Sequence, residues 1–151
     1  MGSQLDFGPD ARRLLAEARR ATLGTIAADG VPRLVPICYA VHATAPVMYS
    51  PLDEKPKRVA AVRELARVGD IARDPRVTVL VDRWDEDWAR LAWLRCDGRA
   101  TLIEAVGVDA VEHALAVEAL RARYAQYADH DLGARPMLRI VVARTASWGE
   151  P

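Results

Sequence analysis

The sequence predicts an α+β domain built on an antiparallel, barrel-like sheet with flanking helices. Three observations point there. Strand-type runs cluster instead of alternating with helices, in the order helix, three strands, helix, two strands, helix, strand. Asp29-Gly30 is a tight-hairpin signal that makes the first two strands antiparallel neighbours. Gly98 interrupts a long alternating strand, as happens where a sheet turns a barrel corner.

Each element has its own warrant. Pro9 and Asp10 suit the first turn of a helix over residues 9–20, with Leu14, Leu15 and Ala18 on its apolar stripe. Residues 22–28 read as the first strand. Residues 33–41 form the second, which is apolar almost throughout and so expected to be buried on both faces. Pro36 within it cannot donate a ladder hydrogen bond, which predicts an edge or a bulge and leaves nearby backbone groups free for a ligand. Residues 47–50 are the third strand, and a basic turn follows. A helix is expected over 58–72, with Val59, Val62, Leu65 and Ala66 on one face, ending near Gly69 before Asp74-Pro75. Val77, Val79 and Val81 alternate with Thr78, Leu80 and Asp82 as in a strand. In the next strand, 90–103, Trp93, Arg95, Asp97, Arg99 and Thr101 share one face; Leu94, Cys96, Ala100 and Leu102 share the other. A helix over 108–127 carries Ala110, Ala114, Val117, Leu120, Tyr124 and Tyr127 at spacings of three and four. Residues 137–143 are the last strand, with Trp148 in a short tail.

Bulk properties exclude several classes. The 151 residues suit one domain spanning the chain. Lys and Arg number 21 against 21 Asp and Glu, so no net field draws the chain to nucleic acid or to an anionic membrane. No apolar run approaches the ~18–20 residues of a membrane span, and no signal peptide is visible. Asp6 occupies the place where a myristoylation motif wants Ser or Thr. Cys38 and Cys96, in apparent strands without CxxC spacing, read as buried free thiols of a reducing cytoplasm. His42, His113 and His130 are scattered with no carboxylate or thiol at ligand spacing, so no metal site is expected. Neither a GxSxG elbow nor a glycine-rich phosphate loop occurs.

Three constellations carry chemistry. In Tyr49-Ser50-Pro51-Leu52-Asp53-Glu54-Lys55-Pro56-Lys57-Arg58, three cations gather within four residues where a helix begins. Helix starts favour anions, so cations there fit a bound phosphate that offsets their repulsion; a solvated basic turn would use the same residues. Asp82 to Trp88 places four carboxylates and two indoles after a buried strand. That run either orients neighbouring arginines or forms a solvated hairpin loop whose tryptophans cover the barrel end. Trp93 beside Arg95 on one strand face can stack on a flat heterocycle or pack against a partner subunit.

Taken in order, Gly24-Thr25-Ile26, Arg33-Leu34-Val35-Pro36-Ile37-Cys38, Tyr49-Ser50-Pro51 with Lys55-Pro56-Lys57-Arg58, and Asp74-Pro75-Arg76-Val77 resemble the pyridoxamine-phosphate-oxidase-like split β-barrel proteins. Asp85-Glu86-Asp87-Trp88, Leu91-Ala92-Trp93-Leu94-Arg95, Asp97-Gly98-Arg99-Ala100 and Leu120-Arg121-Ala122-Arg123-Tyr124 resemble the branch of F420-dependent oxidoreductases known from actinobacteria. The resemblance covers about residues 10–148 and implies a six-stranded split barrel that forms a homodimer with two cofactor sites at the subunit interface. It implies that the cofactor's tricyclic ring lies against Val35, Pro36, Ile37 and Cys38 and against Tyr49, Ser50 and Pro51. The phosphate would meet Ser50, Arg58 and either Lys55 or Lys57, and Trp88, Trp93 and Arg95 of the other subunit would close the pocket. The activity implied is hydride transfer between a reduced deazaflavin and a small acceptor with an activated C=C, C=N or quinone-like group. A backbone N–H or a tyrosine such as Tyr39 could polarise that acceptor. F420 has a longer anionic tail than FMN, and Lys55, Lys57, Arg58 and Arg63 form a cationic surplus that favours it. FMN on the same fold is the alternative, and a non-catalytic cofactor or tetrapyrrole carrier is a reading of another class.

Overall fold

The computed structural model describes residues 6–52 and 65–150. Its elements are α1 (Pro9–Glu17), β1 (Ala21–Ile26), β2 (Pro32–Ile37), β3 (Ala40–Val41), β4 (Val47–Pro51), α2 (Ala66–Arg73), β5 (Arg76–Arg83), β6 (Ala92–Ile103), α3 (Ala110–Arg123) and β7 (Met137–Gly149). Short 3-10 turns at Trp88–Arg90, Gly107–Asp109 and Ala125–Asp129 complete them. All strands join one antiparallel sheet in the order β2-β1-β5-β6-β7-β4-β3. Only Cys38 and Tyr39 separate β2 and β3, which occupy opposite edges. So short a link forces the sheet to curl until its edges approach, giving a split barrel.

The hairpin after β1 turns at Gly30, whose φ of +83° suits glycine, and Asp29 accepts the Val31 N–H at 3.1 Å. The barrel interior holds Leu23 of β1, Val79 and Val81 of β5, Leu94 and Cys96 of β6 and Ile140 of β7, closed at one end by Leu14 and Leu15 of α1. Burial raises the Cys96 thiol to about 12, so it is an inert apolar filler. A second core lies outside the sheet, where Ala116, Val117 and Leu120 of α3 cover Tyr49, Ile103 and Met137. Each fully buried Leu, such as Leu120, contributes about 1.5–3 kcal/mol. At Gly98 the ladder slips. Asp97 pairs with Arg144 while Gly98 pairs with Val142, leaving Ala143 as the extra residue. A Cβ on Gly98 would lie 2.2 Å from the Val141 carbonyl oxygen, so only glycine allows β7 to approach this closely.

Four expectations are corrected. The sheet has seven strands rather than six, because the run expected over 33–41 breaks at Cys38-Tyr39 into β2 and β3. Cys38 therefore lies in the link, not in a strand. The break is stabilised by a polar knot: the Tyr39 N–H donates to Tyr124 Oη at 3.1 Å, and Tyr39 Oη donates to the Leu15 carbonyl at 2.7 Å. β2 is not buried on both faces either. Leu34 is 69% exposed and Pro36 is exposed, because an edge strand has one neighbour and none of the described residues covers its outer face. The last strand does not stop at 143 but runs to Gly149, so Trp148 is a strand residue. Finally, the helix expected over 108–127 is α3 flanked by 3-10 turns; Ala114 points to solvent, while His113 is buried and its Nε2 meets the Arg135 carbonyl oxygen at 2.6 Å.

Candidate functional site

Registry fixes the outer face of the sheet as a grid. One row runs Pro36, Thr22, Leu80, Arg95 and Ala146 across β2, β1, β5, β6 and β7. The next runs Leu34, Gly24, Thr78, Asp97 and Arg144, and a third sets Asp82 beside Trp93 and Trp148. Gly24 has no side chain to cover, so Leu34 leans over it; an added Cβ would be 3.2 Å from Leu34 Cδ2.

This grid contains a polar cluster and an aromatic groove. Asp97 accepts from Thr78 Oγ1 at 2.8 Å and from Arg144 at 3.1 Å, with Arg95 at 3.6 Å. Desolvation opposes its ionisation, yet the hydrogen bonds from Thr78 and Arg144 hold its carboxyl below the usual carboxylate range. Beside it lies an open groove of about 960 Å³ lined by Arg20, Thr22, Leu80, Asp82, Trp84, Trp93, Arg95 and Trp148, among others. Among the described residues Arg20 makes no hydrogen bond or ion pair, and Arg95 has only the long contact to Asp97.

The expected site residues fall into separate places. Pro36, Trp93 and Arg95 share the outer face, with Pro36 three strand spacings, about 14 Å, from Arg95. Val35 and Ile37 turn inward to the barrel core, and Cys38 packs against the α3 core. β4 is buried along its whole length: Ser50 is 1% exposed, and Tyr49 Oη donates to Glu112 Oε1 at 2.7 Å. Arg139 donates to the same oxygen at 2.7 Å. Burial opposes Glu112 ionisation, but these two bonds keep its carboxyl below its ordinary value; Tyr49 is raised, first by burial and then by that bond. Lys55, Lys57, Arg58 and Arg63 lie outside the described residues.

Two readings of the loop and of Tyr39 are corrected. Trp84 and Trp88 are 71% and 72% exposed, so they do not cover the barrel end within a protomer. Tyr39 is fully buried with its hydroxyl committed to the Leu15 carbonyl, and burial raises its pKa. It cannot polarise an acceptor.

Sequence reasoning missed Arg20, Trp84 and Trp148 as groove residues. Extending the Trp93 strand alternation onto a longer β7 would have found Trp148, since the two are direct cross-strand partners. The carboxylate of Asp70 was missed too. It is 3% exposed and accepts from Thr25 Oγ1 at 2.9 Å and Arg73 at 3.0 Å, with Arg33 at 3.2 Å. That cluster clamps α2 to the β1–β2 hairpin.

Comparison with known proteins matches this architecture. Three solved structures share the fold at low identity, which speaks to the fold alone. A conserved hypothetical protein from Mycobacterium tuberculosis has a TM-score of 0.70 and 23% identity, covering 99% of this chain and 91% of that one. A heme binding protein from Mycobacterium smegmatis scores 0.68 at 21% identity, covering 93% of this chain and 52% of that one. A FAD-binding protein from Mesorhizobium loti scores 0.62 at 21% identity, covering 90% and 87%. No curated protein matches. The family model described as pyridoxamine 5'-phosphate oxidase matches residues 7–149, and with nearly its whole length inside that match the chain belongs to this family.

Proposed function

We propose that the chain is an F420-dependent oxidoreductase, working as a homodimer, that moves a hydride between reduced deazaflavin and a small organic acceptor. The observation that carries this reading is β2. An apolar edge strand has Leu34 bare at 69% exposure, directly beside a grid that also bares Leu80 and Trp148. Exposed apolar surface of this kind calls for a cover, and a second copy of the chain supplies one. The backbone of Val35 to Cys38 of one copy, with Pro36 on its outer face, then forms a wall of the site, and Trp88, Trp93 and Arg95 of the other close it.

In the proposed dimer the groove closes the pocket beside the cofactor ring. Indoles offer stacking faces, and Arg20 and Arg95 hold guanidiniums without strong partners. When bound, the deazaflavin supplies the hydride. The chain's residues exclude water with Trp93 and Trp148 and orient charge with Arg95. Lys55, Lys57 and Arg58, next after β4, hold the acidic tail. The cationic surplus of this turn supports F420 over FMN.

Titration of the apo-protein with F420 and with FMN, followed by fluorescence, tests the cofactor. F420 is expected to bind tighter, and replacing both Lys55 and Lys57 with Ala to weaken it by ~2–4 kcal/mol, about thirtyfold to a thousandfold. Tighter FMN binding would overturn the cofactor assignment, and unchanged F420 affinity in the double variant would place the anion elsewhere.

A further inference from the structure

The aromatic groove has more recognition chemistry than closing a cofactor pocket requires. Trp93 and Trp148 are cross-strand partners on one face, and Trp84 stands at the groove's margin. Within the protomer Trp148 is 55% exposed and Trp84 71%, so both indoles can line a site that a second copy closes from above. Leu80 extends the apolar floor. Three indoles around one trough provide stacking surface for a planar ring system.

Charge at the rim is equally selective. Arg83 is committed to Glu17, at 3.3 Å, and to the carbonyls of Arg90 and Glu150. Arg20 has no partner among the described residues, and Arg95 touches only Asp97, which Arg144 holds more closely, at 3.1 Å. Among the described residues Asp82 is the one carboxylate lining the groove, against those two available guanidiniums. A ligand carrying a negative charge is therefore attracted, and a guanidinium fork prefers a carboxylate or similar planar anion.

We infer that this groove is the acceptor site, and that it takes flat aromatic compounds bearing a carboxylate. The acceptor would stack on Trp93 and Trp148 with its anion between Arg20 and Arg95. The inference rests on the oxidoreductase reading for the fate of the bound compound, but binding itself does not require the cofactor.

Calorimetric titration of the apo- and F420-loaded protein with naphthoate, and with naphthamide as a neutral isostere, tests it. Naphthoate is expected to bind at least tenfold tighter than naphthamide. The double variant Arg20→Gln, Arg95→Gln is expected to erase that preference while leaving naphthamide unchanged. Trp148→Ala is expected to weaken both compounds by a similar factor. Equal affinities, no binding of either, or a preference that survives the double substitution would each overturn the inference. Failure of F420 to bind while naphthoate still does would count against the cofactor reading alone; failure of naphthoate with F420 bound would count against the groove alone.

Discussion

β2 and β4 look alike in sequence, since both are short, mostly apolar and contain proline, yet they end in opposite environments. Val47–Pro51 is buried at every position, with β7 on one side, β3 on the other, barrel core beneath and α3 above. Pro32–Ile37 pairs only with β1 and is exposed over most of its length. Hydrophobicity alone therefore does not say which strand is interior; the number of neighbours does. The apolar strand with a single neighbour is where the proposed second copy would sit.

The contrast can be broken from the closed side first. Gly98→Val would drive a side chain into the Val141 carbonyl, and backbone cannot yield cheaply there. A loss of about 3–5 kcal/mol in unfolding free energy is expected by denaturant titration. Glu112→Leu follows, because it strips Tyr49 and Arg139 of their shared acceptor beside β4. About 2–3 kcal/mol is expected from the same measurement. A variant within ~0.5 kcal/mol of wild type would show that this network contributes little.

Acid should sharpen the comparison by a smaller amount. The folded Glu112 carboxyl lies below its ordinary value of 4.5, so its contribution is present above that pH and is lost as pH falls through the folded value. The advantage of wild type over Glu112→Leu is expected to be constant near neutrality and to shrink below pH 4.5. An advantage that grows on acidification would contradict the ion-pair account.

The open side should respond least in the protomer's own stability. Leu34→Asp on β2 is expected to change unfolding free energy by no more than ~0.5 kcal/mol while weakening association of two copies. A large loss of protomer stability would show that β2 is covered from within the chain.

Much of this was legible in the residues. The Asp29-Gly30 hairpin, the alternation of β5 and β6 and the glycine at the barrel corner are local signals, and each reappears in place. The break at Tyr39 was not legible, because it depends on Tyr124, which is 85 residues away. Nor was the full length of β7. The strand pattern ends at Ala143 and leaves Trp148 in a short tail, yet Arg144 to Gly149 are strand because β6 offers them a partner. The groove followed the same logic: Trp93 and Arg95 shared a face by simple alternation, whereas Arg20 and Trp148 joined them only through packing and register.

The central claim is that two copies of the chain meet over β2 and the outer sheet face and hold a deazaflavin between them. Sedimentation velocity on the wild-type protein with F420, following cofactor absorbance, tests it in one run. The account predicts that the absorbance travels with a particle of two chains. Absorbance that stays with free cofactor, or that travels with a single chain, would contradict it.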